Sequence, residues 1–317
     1  MRRRLPAAAL ALAATVLAAC SDGGLGRPAE RPEFPPDLAW SFLTQQLAFG
    51  PRHPGHRGHE AQLAWLREQM ELRADTVVVQ EFSHAAADGK ALKLANVVAR
   101  FRPEAAERVL LVAHRDTRRY AEGARDEADR DRPVPGANDG AAPTAVLVAL
   151  AELFAQQPPT VGVDILFADG DDYGPGAGDL YRGTAHYLAN LPAGAKAKYA
   201  IVLDLVGERR ARFPREAGSR QAAPQLVDRV WGIAGQMGLD TVFVADTVAA
   251  VPDERVRMLR AAGIPAVLIT DPEYGPGNRF SHSIDDVVPL LERETLGHVG
   301  EVVAEVVYRG IPQPKEQ

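Results

Sequence analysis

The stretch Val163-Asp164-Ile165-Leu166-Phe167-Ala168-Asp169-Gly170-Asp171-Asp172 runs from an apolar segment straight into three carboxylates. A short, nearly continuous apolar run is what a strand covered on both faces requires. Three further runs have the same form: Val109-Leu110-Leu111-Val112-Ala113, Ala200-Ile201-Val202-Leu203 and Ala266-Val267-Leu268-Ile269. Helical stretches near 142–156, 183–190, 224–237 and 254–262 separate them. Apolar strands alternating with helices predict an α/β fold, a three-layer α/β/α sandwich with a mixed, mainly parallel central sheet.

Working outward, residues 37–48 and 59–72 read as amphipathic helices, the second with Leu63, Leu66 and Met70 at helical spacing. The runs 76–82 and 95–101, separated by a polar segment containing Ala87-Asp88-Gly89, predict an antiparallel strand pair at the start of the sheet. A last helix is expected over about 290–308. In such sheets functional groups gather at the carboxyl ends of the strands. Here His114 and Asp116 follow the first buried run, Asp169, Asp171 and Asp172 the second, and Asp204 the third; the fourth leads through a Gly/Pro loop to His282.

The N-terminus carries a different message. Met1-Arg2-Arg3-Arg4 and the almost unbroken apolar run to Ala19 have the charged head and short apolar body of a secretory signal, too short to span a bilayer comfortably. The run ends Leu17-Ala18-Ala19-Cys20, which resembles a bacterial lipobox, and Cys20 is the one cysteine of the 317 residues. A lone cysteine excludes an intrachain disulfide and a thiolate zinc site, and its place is where lipidation needs it. Residues 1–20 are therefore expected to be a signal with a lipid anchor through Cys20. With Ser21 rather than Asp next, the periplasmic face of the outer membrane is the expected location. Residues 21–35, rich in Gly, Pro and charge, read as a flexible tether, and 36–317 as one large domain. The net charge of −6 argues against a nucleic-acid partner, and the local cluster Arg209, Arg210, Arg212 and Arg215 reads as a solvated loop.

Taken singly, each candidate residue has a plain structural reading. Asp139, just before a helix, is equally suited to be an N-cap. Asp169, Asp171 and Asp172 can be a solvated acidic loop, and His282 a surface histidine paired with Asp285 or Asp286. Asp204 is harder to explain that way, because a carboxylate ending an apolar run is buried and needs a partner or a metal. Together, several carboxylates and histidines at strand ends make an N/O donor set suited to zinc with an open coordination position.

Five ordered strings carry a resemblance: Ala113-His114-Arg115-Asp116-Thr117-Arg118, Pro135-Gly136-Ala137-Asn138-Asp139-Gly140-Ala141, Phe167 through Gly174, Leu203-Asp204-Leu205-Val206-Gly207, and His282-Ser283-Ile284-Asp285-Asp286. In this order they resemble the zinc aminopeptidase superfamily, and most closely its bacterial glutaminyl-peptide cyclotransferase-like branch. The likeness extends upstream to Phe49-Gly50-Pro51-Arg52 and downstream through Ala262-Gly263-Ile264-Pro265. It implies that Asp139, Asp172 and His282 hold zinc. His114 and Asp204, with Asp139 bridging, match the second metal site of the dinuclear aminopeptidases. Asp171 matches the catalytic carboxylate, Asp116 the acid that orients His114, and Asp253, with Glu254 as the alternative, a further site acid. The segment Arg118 to Val134 resembles the insertion of the cyclase branch.

The activity so implied is conversion of an N-terminal glutamine of a peptide or protein to pyroglutamate with release of ammonia, using one zinc. The alternatives are aminopeptidase hydrolysis with two zincs and a silent zinc-binding scaffold. Two departures from the family pattern bear on this. The catalytic position holds Asp171 instead of Glu, which withdraws the carboxylate by about an ångström, a displacement that can cost about a hundredfold in rate. Ser281 stands where an aromatic residue commonly precedes the last histidine, which predicts a more open pocket.

Overall fold

All four apolar runs are neighbouring strands of one sheet. In the computed structural model, which describes residues 28–191, 194, 196–249, 251 and 253–310, six strands follow the order β1-β2-β4-β3-β5-β6. They are β1 Thr76–Ala85, β2 Ala91–Phe101, β3 Arg108–His114, β4 Gly162–Ala168, β5 Tyr199–Leu203 and β6 Ala266–Ile269. β1 and β2 pair antiparallel, with Val79 opposite Val97, and β2 pairs antiparallel with β4. β4, β3, β5 and β6 are mutually parallel. Their carboxyl ends share one edge.

Side chains alternate between two layers, as the period of two requires. Val109, Leu111, Ile165, Phe167, Ile201 and Val267 pack with the helices α1 Pro36–Ala48, α2 Arg57–Glu71, α3 Ala142–Gln156, α6 Pro224–Gln236 and α8 Arg293–Tyr308. Leu110, Val112, Leu166, Val202 and Leu268 face α4 Arg182–Ala189 and α7 Glu254–Ala261 through Tyr187, Val256 and Leu259. Each fully buried side chain of this size contributes about 1.5–3 kcal/mol. Asp164, the one charge inside the β4 run, is buried and compensated by Arg108 Nη1 at 2.6 Å and Arg100 Nε at 3.2 Å.

Some boundaries differ from expectation. The last helix begins at Arg293 rather than near 290, because Val288–Leu290, with Pro289 inside, forms a 3₁₀ turn and Leu291 bridges to Glu208. A short helix, α5 Ala217–Ala222, capped by the Glu216 carboxylate, gave no periodic signal at six residues. Arg212 and Arg215 lie 3.6 Å from Asp246 and Asp228, so this basic stretch is paired locally.

A larger correction concerns the tether. Of residues 21–35, those from 28 onward are described, and they lie along α8. Arg31 bonds Glu301 at 2.5 Å and Glu305 at 2.7 Å, Ala29 N donates to Glu305, and Phe34 is buried against Gly300. One arginine facing two carboxylates and one aromatic ring on a glycine groove outweigh the segment's low apolar content. Residues 1–27, including Cys20, lie outside the described residues. No helix among the described residues is long and apolar enough to cross a membrane.

Candidate active site

The carboxyl edge of the sheet gathers the expected ligands into two groups that share Asp139. Asp139, Asp172 and His282 form one; His114, Asp139 and Asp204 form the other, and within each the donor atoms lie within 4.8 Å of one another. His282 Nε2 is 3.4 Å from Asp139 Oδ2 and 3.8 Å from Asp172 Oδ1. His114 Nε2 is 3.0 Å from Asp139 Oδ1 and 3.5 Å from Asp204 Oδ1. These separations bracket the roughly 3.3 Å edge of a tetrahedron with bonds of about 2.0–2.1 Å, the geometry of zinc with N and O donors. His282 thus faces Asp139 and Asp172, not Asp285 or Asp286.

The turn at 137–141 decides the role of Asp139. Its φ of −91° and ψ of 94° are not helical, and the N-cap of α3 is Ala141 without a side-chain bond, so Asp139 is no cap. Asp286 pins this turn: its carboxylate accepts Asn138 N at 2.7 Å and Asp139 N at 3.1 Å, and Tyr274 Oη donates to it at 2.8 Å. Buried Arg52 fastens the same turn by donating to the Pro135 and Gly136 carbonyls, which accounts for the Gly50-Pro51-Arg52 string. Gly140, at φ 97°, is required, since a Cβ there would stand 2.7 Å from Asp116 O and 3.3 Å from the His114 ring. Strain collects here too. Tyr181, Leu205, Asn278 and His282 all line the cavity at positive φ, a conformation that ordinary residues adopt only when their surroundings impose it.

Unbalanced charge argues for a cation. Burial and the neighbouring Asp139 charge push Asp172 well above the carboxylate range, and Asp172 Oδ2 is buried without a hydrogen-bond partner. Asp204 Oδ1 is orphaned in the same way. A divalent ion held by Asp139, Asp172 and His282 would relieve the cost at Asp172, so these residues fit zinc.

Asp171 lies on the wall of the same cavity of about 770 Å³, 2% exposed. Its oxygens accept Thr184 N at 2.9 Å and Thr184 Oγ1 at 2.6 Å. Burial pushes it up to about 6, against the opposing pull of Arg255 and Thr184. Asp204 goes the other way: burial resists its ionisation, but the Arg255 guanidinium overrides this and holds it below the usual range. Asp253 lines the cavity, but it caps α7 and bonds Arg255 through both oxygens, so its carboxylate is already engaged by a guanidinium. Asp116 differs from expectation as well. Its backbone carbonyl, 3.1 Å from His114 Nδ1, is what orients that ring, while its carboxylate stands 3.7 Å away and accepts the Asp171 and Asp172 amides.

Arg255 and Thr184 carry no signal in the sequence and meet the site from distant segments, and Asp286, quoted beside His282, gives no sign there of its bonds to the Asn138 and Asp139 amides. Asp169, grouped with Asp171 and Asp172 by sequence, turns away from the cavity and is buried against His59, Arg115 and Ala95 N at 2.6–2.7 Å. Ser281 lines the cavity before His282, and Phe280 packs edge-on to Tyr274 at 5.5 Å. On the far wall, burial reinforced by Glu208 pushes Asp271 up to about 7. That value lies above the roughly 3.9 of an unfolded aspartate, so the folded chain holds an extra proton and loses stability as pH rises between them. The melting temperature of Asp271→Asn relative to wild type is expected to climb from pH about 4 to about 7. A pH-independent difference in thermal melts would remove Asp271 as the source.

The family model described as Peptidase family M28 matches residues 96–307. Among solved structures, Tannerella forsythia glutaminyl cyclase is 32% identical at a TM-score of 0.84, covering 88% of this chain and 100% of that one. Bacteroides thetaiotaomicron glutaminyl cyclase bound to N-acetylhistamine is 31% identical at 0.85, covering 89% and 100%. A leucine aminopeptidase precursor from Bacteroides thetaiotaomicron has the same identity, TM-score and coverage.

Proposed function

This chain belongs to peptidase family M28, and from that premise we propose that it is a zinc-dependent glutaminyl-peptide cyclotransferase, converting N-terminal glutamine of peptides to pyroglutamate with loss of ammonia. Asp139, Asp172 and His282 hold one zinc. When bound there, zinc supplies Lewis-acid polarisation of the substrate's side-chain carbonyl.

The chain's own residues do the rest. The α-amine nitrogen of the substrate forms a bond to the side-chain carbonyl carbon, the carbon–nitrogen bond of the amide breaks, and ammonia leaves. Asp171 accepts the proton that the amine sheds and delivers it to the departing nitrogen, a single carboxylate serving both halves. Thr184 fixes the direction of that carboxylate through two hydrogen bonds. Asp204 faces the ring of His114 and bounds the amine side of the cavity. Asp253 acts through Arg255, which it holds. Leu180, Leu205, Val251 and Leu268 give the cavity apolar walls that exclude water, the competing nucleophile.

The observation that carries cyclisation over hydrolysis is the segment Arg118 to Val134. It resembles the cyclase insertion and docks on the loop that bears His282. Gly123 N donates to His282 O at 2.9 Å, a Cβ at Gly123 would meet Ser281 O at 2.4 Å, and Ala121, Ala124 and Val134 pack with Ile284. The likeness to two glutaminyl cyclases over their full length supports the same reading. Aminopeptidase action is the second reading, favoured by the preformed group His114, Asp139 and Asp204 and by the likeness to the leucine aminopeptidase precursor. Export and a lipid anchor through Cys20 belong to this proposal on sequence grounds.

Mass analysis after incubation with a Gln-initiated peptide decides between the readings. A product lighter by one ammonia is expected. A product lacking the first residue would establish the peptidase, and an unchanged peptide at high enzyme concentration would overturn both enzymatic readings.

A further inference from the structure

His114, Asp139 and Asp204 have the spacing of a second metal site, and Asp204 keeps one oxygen orphaned toward it. What sets this group apart is the cation already beside it. Arg255, on the first turn of α7, is 3% exposed. Its Nη2 bonds Asp204 Oδ2 and, at 2.6 Å, Asp253 Oδ2, while Nε lies 3.0 Å from the same Asp253 oxygen. Asp253 is itself immobilised, accepting Arg255 N at 2.8 Å as the cap of α7. The guanidinium is therefore held from both sides, and withdrawing it would leave the Asp204 and Asp253 carboxylates without their cation.

We infer that Arg255 restricts this chain to one zinc, its fixed guanidinium supplying at Asp204 the positive charge that a second dication would bring. Arginine cannot escape the conflict by losing its proton. In a buried site, Coulomb repulsion between it and a neighbouring dication is several-fold stronger than in water. Arg255 already bonds Asp204 Oδ2, so a second ion would have only the remaining Asp204 Oδ1 and would sit beside a guanidinium held by the same carboxylate.

Arg118 offers the contrast. It lies 3.0 Å from Asp172 Oδ1 in the first group, but its Nε makes no hydrogen bond, and Glu122 at 3.0 Å is an alternative partner for its guanidinium. Neither a helix cap nor a second buried carboxylate holds it in place. His282 in that group is also 32% exposed at its side chain, whereas His114 is 2% exposed. The first group is thus accessible and only loosely opposed, and the second is enclosed and firmly opposed.

The inference rests on zinc occupying the first group and not on which reaction follows, so a failed cyclase assay leaves it standing. The test is metal stoichiometry of chelator-stripped protein by equilibrium dialysis against zinc, with cobalt(II) absorption as a second readout. Wild type is expected to bind one equivalent tightly. Arg255→Met is expected to bind two, its second-site affinity rising by about a hundredfold, the upper end of what outer partners of a metal site do. Arg255→Lys, which keeps the charge, is expected to remain at one. Two tight equivalents in wild type would overturn the inference without any variant. So would a single equivalent in Arg255→Met with wild-type circular dichroism, or two in Arg255→Lys.

Discussion

Alanine at position 282 is expected to cost the protein its zinc while leaving the fold in place. His282 supplies the one nitrogen donor of the first ligand group, and its ring faces Asp139 and Asp172 across 3.4 and 3.8 Å. Without it two carboxylates remain, and zinc prefers at least three protein ligands. The loss in affinity is expected to exceed the roughly 10–100-fold that changes outside the ligand set cause. The fold survives because His282 sits in a loop beyond β6 and contributes nothing to either apolar layer. Metal analysis after dialysis checks the first point. Thermal melts check the second: a ligand at about 1,000 times its dissociation constant stabilises by about 4.1 kcal/mol, and this zinc-dependent gain should vanish in the variant. Stoichiometric zinc in dialysed His282→Ala would remove His282 from the ligand set.

Asparagine at position 171 is expected to do the opposite, keeping zinc and losing turnover. Asp171 belongs to neither ligand group, so zinc content should equal that of wild type. Its carboxylate can take a proton and an amide cannot, and positioned acid–base groups are worth about 10²–10⁴ in rate. Asparagine is nearly isosteric and can still accept the Thr184 amide, so a folding defect is not the expected cause. The loss should appear in kcat, with KM little changed. Full activity in Asp171→Asn would overturn the proton-transfer role and leave Asp171 as a buttress for Thr184 at the start of α4.

Much of this was legible from the chain alone. The four apolar runs, the helices between them and the antiparallel pair at the edge were readable because burial on two faces, amphipathic period and turn residues are local properties. His114, Asp172, Asp204 and His282 were readable as a group because each ends or follows a buried strand, and parallel strands bring their carboxyl ends to one edge; Asp139, just before a helix, joined them only through the family resemblance. What local reading missed involves residues far apart in the chain. Nothing near Arg255 indicates that its guanidinium reaches Asp204, 51 residues away. Asp286 looks like a partner for nearby His282 but holds the Asn138 and Asp139 amides, 148 and 147 residues away. Arg31 and Phe34 lie in a stretch whose composition suggests a tether, and only α8, with Glu301, Glu305 and Gly300 in register, makes them part of the fold.

The sequence by itself determined the layer order of the protein and the chemical character of its site, an N/O donor set at the strand ends, because hydrophobic period and residue type act over a few positions. Only the tertiary structure decided how the charges divide. It showed that Asp139 is no helix cap, that Asp169 turns from the cavity, and that Asp116 works through its carbonyl. It also placed a buried arginine against Asp204, so that one ligand group has a fixed cation beside it and the other does not. Ion pairing in a buried site depends on distances of a few ångströms between segments remote in the chain, and those distances exist only once the layers have packed.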